Sequence, residues 1–375
     1  MRTAKIGLYI LLFLGIGLSA QGYQLPELIP FRLGDTWGYC DQDGALRIPA
    51  NYDAAMPFRA GTAVIFRKDR AGLIDQDGNV LLPFVYDEIF NDAYLRIRKN
   101  THFALANKEG KLLTEFVFDQ IFPEKSGLFR IENNGLMGMI DTAGKAIIPP
   151  LYQHISILRD AKGNYTDLIQ VHLDGKYGIY DRCGTALSKP IYASIGVFWD
   201  GFAIVKREGR FGMIDLEGQE VVLAVYENLH PLREGLSAAL VRGRWGFVDT
   251  EGQEAIPFRY TEVNGEGFYQ GRAAVFFRDE WTFIDRQGRA KISVKGPYSC
   301  LGSLSEGLAS ACILSKSGHP FYGYLNQNGR LVIPCEFARA YPFRDGFALT
   351  GQYVTSQESH SPKLRFGVID RKGRE

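Results

Sequence analysis

The sequence predicts an all-β chain assembled from tandem copies of one short unit. Three observations lead there. A phrase of the form aromatic, Gly, two apolar residues, Asp, two variable residues, Gly recurs along the 375 residues, mostly at intervals near 34. A fixed period of that size marks a repeat architecture. Apolar residues alternate on both sides of each Asp-x-x-Gly, which reads as two strands joined by a tight turn. Forty-two glycines against sixteen prolines fit a chain with many such turns.

The ten copies begin at Trp37, Ala71, Phe103, Met137, Tyr177, Phe211, Trp245, Trp281, Tyr322 and Phe366, with longer intervals after 137, 281 and 322. In each, the Asp or Asn side chain is placed to accept backbone N–H groups two or more residues on, which closes a turn. The final Gly takes the left-handed backbone without a Cβ clash. The two positions between them vary freely (Gln-Asp, Lys-Glu, Thr-Ala, Arg-Cys), as a solvent-exposed turn allows. DQDG at 41–44 and at 75–78 resembles part of a calcium loop, but neither has the distant bidentate Glu such a loop needs. Beyond the turn comes an apolar stretch, often ending in Ile-Pro, as at Ile48-Pro49 and Ile256-Pro257. A Tyr or Phe follows three residues later (Tyr52, Tyr226, Tyr260, Phe337). Phrases such as PFRAGTAVI (57–65) and PFRDGFAL (342–349) then read as a turn and another strand. One unit is thus about three short strands, too small to bury its own apolar face. The Gly after the aromatic is expected to let a ring of one copy pack across a neighbouring copy, with rings such as Trp245 in the core.

This pattern resembles the WG-repeat family, also described as WG-containing or KWG repeats. The resemblance covers nearly all of the chain after the first twenty residues. It implies a bacterial, β-rich repeat protein of a kind that usually has no assigned activity. The departures are local: Ala71 and Met137 replace the aromatic, Ala104 and Thr282 the glycine, and Asn107 and Asn326 the aspartate. The copy at Trp281 continues as KISVKGPYSC, without Ile-Pro or the expected Tyr, and its outer half is expected to be remodelled. Tandem three-stranded WG repeats stacked into an open, curved or twisted β array fit the 34-residue unit. The alternative is a closed β-propeller-like ring, which a three-stranded unit fits less well because propeller blades typically have four strands. In that case the segment around Pro30-Phe31 would supply the strand that the last copy lacks.

Residues 1–20 read as a cleavable signal peptide: Arg2 and Lys5, a short apolar run from Ile6 to Leu18, then Ser19 and Ala20. The run is shorter than the ~20 apolar residues of a spanning helix. Residues 21–375 form the array, and the expected location is secreted, periplasmic or cell-surface, with no stable membrane insertion after signal removal. Five cysteines are sparse and odd in number, without metal-ligand spacing. They read as small buried residues, with Cys300 and Cys312 the one close pair that could bridge. A net charge of +1 with both signs interspersed leaves no electrostatic footprint for nucleic acid.

No catalytic, cofactor-binding or metal-binding residue stands out. The six histidines are scattered, and nucleophile-elbow, phosphate-loop and zincin motifs are absent. Acids such as Asp200 and Glu234 are accounted for by turns and surface. Irregularity is the better guide, because repeat proteins bind through surfaces and inserted loops. Three stretches break the period: 156–170, 296–320 and 350–365, the last polar enough to be expected mobile. Trp199 lies outside the repeat's aromatic position, where it either packs beside Phe198 or lines a binding surface. The expectation is an exported, non-catalytic binding or scaffold module for a protein or an envelope glycan. The alternatives are a cell-surface carbohydrate-processing enzyme and a structural spacer.

Overall fold

The computed structural model describes residues 26–124, 127–356 and 359–375, so the signal peptide expected at 1–20 lies outside the described residues. These residues form ten small sheets of antiparallel strands in simple sequence order, and the strand pairing closes none of them. No helix occurs among the described residues. The chain divides into two compact units, up to Ile121 and from Phe122 onward.

The seventh sheet shows the plan. Its strands are Asn228–Leu229, Ser237–Val241, Arg244–Val248 and Glu254–Tyr260, hydrogen-bonded in that order. Arg242 and Gly243, both at positive φ, form the hairpin turn between the second and third strands, where two left-handed residues match the strand twist. The Asp249–Gly252 turn joins the third strand to the fourth. A short first strand therefore joins the three expected from sequence. In the second, sixth, seventh and eighth sheets it is two residues long, too short to carry a period. The sequence copy and the sheet are out of step. The Trp245 copy supplies the third and fourth strands of one sheet, and its second half supplies the first two strands of the next.

The third strand also explains the recurrent glycine, differently from expectation. Trp245 faces Tyr260 and Phe247 faces Ile256, so the fourth strand bulges across Gly246 between these pairs. A Cβ on Gly246 would lie 2.7 Å from the Ile256 carbonyl oxygen and 2.8 Å from the Phe258 ring. Gly38, Gly138, Gly178, Gly212 and Gly323 meet the same backbone obstruction. The glycine thus serves its own sheet; it is not a seat for a ring from another copy. The exceptions obey the same rule. Thr282 pairs regularly with Ser293, without that bulge. Ala104 stands opposite a fourth strand reduced to the isolated bridges Phe103–Phe118 and Ala106–Leu112.

The core lies between consecutive sheets. Leu236, Phe247, Ile256 and Tyr260 of the seventh sheet pack against Phe268, Ala273, Val275 and Ile284 of the eighth. Tyr39–Phe58, Phe247–Phe268 and Tyr324–Phe343 meet edge to face at 4.8, 4.9 and 4.9 Å, each pair joining one sheet to its successor. That geometry is favoured by the ring quadrupoles. The joining ring is therefore two residues after the position expected. Trp37, Tyr177, Phe211, Trp245 and Tyr322 are only half-buried.

The irregular stretches extend hairpins. Residues 156–170 lengthen the first two strands of the fifth sheet to His154–Arg159 and Tyr165–Leu173. Residues 296–320 lie in the ninth sheet, where Cys300 and Cys312 face each other across neighbouring strands and form a disulfide, with Cα atoms 5.2 Å apart. Cys40 is buried, Cys335 half-buried and Cys183 exposed in a turn, so Cys183 departs from the buried reading. In the stretch expected to be mobile, Gln352, Tyr353 and Val354 pair with Arg365, Leu364 and Lys363. The segment around Pro30-Phe31 pairs with Thr36–Cys40 in the first sheet. At Trp281, Val294 takes the place of the missing Tyr.

Gly246→Ala is expected to cost about 1–3 kcal/mol, the range for overpacking a filled site. Phe247→Ala is expected to cost about 3–5 kcal/mol, and more than Trp245→Ala. Chemical denaturation of the three variants measures both; a larger loss at Trp245 would contradict this account of the joining ring.

Candidate functional site

The Asp-x-x-Gly segments are turns. Asp41 Oδ1 accepts the N–H groups of Asp43 and Ala45 at 3.1 and 2.8 Å, and its Oδ2 accepts Arg47 Nε at 2.7 Å. Asp75, Asp141 and Asp249 repeat this pattern, and Asn326 does so without a charge. Both carboxylate oxygens of Asp41 are thus directed at the chain's own N–H donors. Among the described residues no three His, Cys, Asp or Glu come together as a metal cluster would.

Hydrogen bonds to a carboxylate favour its charged form. The backbone N–H of Arg374, then its guanidinium, hold the Asp370 carboxyl down to about 2 from an ordinary 3.8. At Asp285 burial works the other way, but hydrogen bonds from Arg289, Lys291 and Gln287 outweigh it and lower the pKa.

A cleft among the described residues lies where sequence irregularity pointed. It has a volume of 830 Å³ and is walled by three turns together with Arg233 of the seventh sheet. One is the tip of the extended hairpin in the fifth sheet, from Asp160 to Asp167. The second is the Phe198–Gly201 turn of the sixth sheet, and the third contains Leu216 and Glu217 of the same sheet. The Ala161 N–H donates to the Phe198 carbonyl at 2.9 Å, which docks the hairpin tip against the second turn. Asp160 closes the tip by accepting the N–H groups of Lys162 and Asn164. It is a further Asp-x-x-Gly, at 160–163, and its signal was missed because no aromatic-Gly pair precedes it.

Trp199 and Tyr165 face this cleft, and 41% and 38% of their surfaces are exposed. Phe198 is buried in the core between the fifth and sixth sheets, so the neighbours divide the two roles considered for Trp199. Trp199 precedes a two-residue turn, Asp200-Gly201, with φ of 47° and 86°. Reciprocal backbone bonds with Phe202, at 2.8 and 2.9 Å, hold it there. The Arg233 guanidinium lies 4.5 Å from the Trp199 ring centre, and that of Arg159 lies 4.2 Å from Tyr165. Such contacts contribute ~0.5–1 kcal/mol each at exposed sites, enough to bias each ring toward one orientation. Tyr165 and Arg233 were not individually legible; the hairpin insertion and the variable residue before each left-handed turn were their signals.

The acids weighed from sequence sit on turn tips. Asp200 lines the cleft, whereas Glu234 Oε2 accepts the Gly271 N–H at 2.9 Å. Glu234 is thereby committed to joining one sheet's turn to the next.

A family model described as WG containing repeat matches residues 37–69, 72–100, 103–136, 137–176, 177–210, 211–245, 245–281 and 322–350, well over half of the sequence. The chain belongs to the WG containing repeat family. Within this WG-repeat protein, the cleft falls in the matched segments 137–176, 177–210 and 211–245. No curated protein matches it. Among solved structures, a eukaryotic initiation factor is 9% identical, with 92% of this chain and 93% of that chain covered and a TM-score of 0.39. The WD40 domain of Toxoplasma gondii coronin is 11% identical, with 73% and 78% covered and a TM-score of 0.29. Likenesses this distant carry no argument about function.

Because the Asp370 pKa is depressed on folding, its contribution is present above the unfolded value and lost as pH falls through about 2. The thermal midpoint is expected to drop between about pH 4 and pH 2. Asp370→Asn should keep the turn and remove only Asp370's share of that drop, leaving the shares of Asp41, Asp75 and Asp285, as read by melting curves across the same range.

Proposed function

We propose that this WG-repeat protein is an exported, non-catalytic binding module whose ligand is an envelope glycan seated between Tyr165 and Trp199. The observation that carries the reading is Trp199: a large indole held half-exposed over a cleft by a rigid turn. Ligand sites combine apolar and aromatic walls with a few polar groups that fix orientation. Here two rings supply apolar faces against which the C–H face of a sugar can lie. Lys162, Asp200 and Glu217 on the walls supply hydrogen-bonding groups for hydroxyls. The carboxylates nearest the rings stand on exposed turns, and Asp160 is already occupied by N–H donors. That arrangement favours holding a sugar over cleaving one. The Cys300–Cys312 disulfide supports export, because such bonds persist in oxidising compartments. The apolar start of the chain points the same way.

A glycan array probed with the chain, beside its Trp199→Ala variant, tests the reading. The wild type should retain uncharged oligosaccharides, and the variant should lose at least about tenfold in affinity, near 1.4 kcal/mol. Its melting temperature should not change, since Trp199 stands outside the core. Equal retention by the two proteins would remove the cleft from consideration.

A further inference from the structure

The residue before the left-handed turn recurs on successive sheets. Trp199, Arg233 and Tyr269 hold this place on the sixth, seventh and eighth sheets. Each exchanges two backbone hydrogen bonds with the residue across its turn: Phe202, Leu236 and Arg272. The turn residues Asp200-Gly201, Glu234-Gly235 and Gln270-Gly271 all have positive φ, so the three side chains leave equivalent backbone positions. They are also connected. The Arg233 guanidinium covers Trp199, and the Arg233 stem lies beside Gly267, 3.6 Å from where a Cβ there would be. Glu234 accepts the Gly271 N–H and so fixes the seventh turn to the eighth. Tyr269 ends the row with 40% of its surface exposed. At the same place in the second and tenth sheets stand Arg59 and Arg344; the aromatic-Arg-aromatic run belongs to these three sheets.

We infer that the ligand is a linear, uncharged oligosaccharide that leaves the cleft at Trp199, passes Arg233 and stacks a later sugar ring on Tyr269. This rests on the cleft reading above and adds the length and charge of what binds. Packed sheets lie ~10 Å apart, so the row from Trp199 to Tyr269 covers two steps, about 20 Å, beyond the reach of a disaccharide. The charge of the cleft sets the class. Asp160, Asp167, Asp200 and Glu217 stand with Lys162 and Arg233 on the walls, with Arg159 over Tyr165 and with Arg182 beside Asp167; charges this closely balanced give a polyanionic chain no basic groove to follow. A second platform joined to the first through the same ligand raises affinity by effective concentration.

Calorimetry on the full chain with chito- and cello-oligosaccharides, as dimers and as hexamers, tests this. The wild type should bind one hexamer at least about tenfold more tightly than its dimer. Tyr269→Ala should abolish that preference while leaving dimer affinity unchanged, and Tyr269→Phe, which keeps the ring, should retain it. Equal wild-type affinities for dimer and hexamer, or a preference untouched by Tyr269→Ala, would overturn the extended track. If Trp199→Ala still lost the dimer in that case, the cleft reading would survive alone. Failure of the wild type to bind either series, or no effect of Trp199→Ala, would remove both.

Discussion

The fold depends on apolar faces of consecutive sheets covering one another. No sheet is thick enough to hold a core, and the buried clusters draw residues from two neighbouring sheets. The edge-to-face rings at Tyr39–Phe58, Phe247–Phe268 and Tyr324–Phe343 are the clearest expression of this dependence. They make each sheet's burial conditional on its neighbour, as expected for repeat proteins whose stability is a sum of units and interfaces. The turns leading to each tip add single buried rings such as Phe58, Phe198, Phe268 and Phe343, but the residue next to each left-handed pair stays outside. Their tips are consequently open to variation, and Trp199, Arg233 and Tyr269 occupy such tips.

The name-giving glycine has a narrower job than its recurrence suggests. It clears space for the bulged fourth strand of its own sheet. At Thr282, where the bulge is missing, and at Ala104, where the fourth strand is reduced, the glycine is missing too, although Gly367 keeps it in a three-stranded sheet. The agreement between two independent departures is stronger support for the steric account than any of the conforming copies.

Much of this was legible in the sequence. The ten-fold phrase located the turns, and Asn107 and Asn326 already showed that the acid acts as a hydrogen-bond acceptor. The strand that was not foreseen is two residues long in several sheets, and a period of two cannot be recognised over two residues. The joining ring was assigned two positions too early, because both positions are apolar and share one face of the strand, and only the depth of burial along the strand separates half-buried Trp245 from buried Phe247. The site was visible as irregularity alone. Trp199 and the 156–170 stretch stood out separately, but nothing in the sequence states that Ala161 donates to Phe198 and brings them together. Arg233 looked like any residue of the phrase PLREG until its guanidinium was found over an indole.

The offset between sequence copy and sheet has an evolutionary corollary. Each copy contributes half of two adjacent sheets, so unequal crossing-over at any point, provided it keeps the period, leaves every sheet whole. An array built this way can lengthen or shorten by whole modules without ever passing through a broken one. A tip residue can then diverge in one module while its duplicates keep the scaffold.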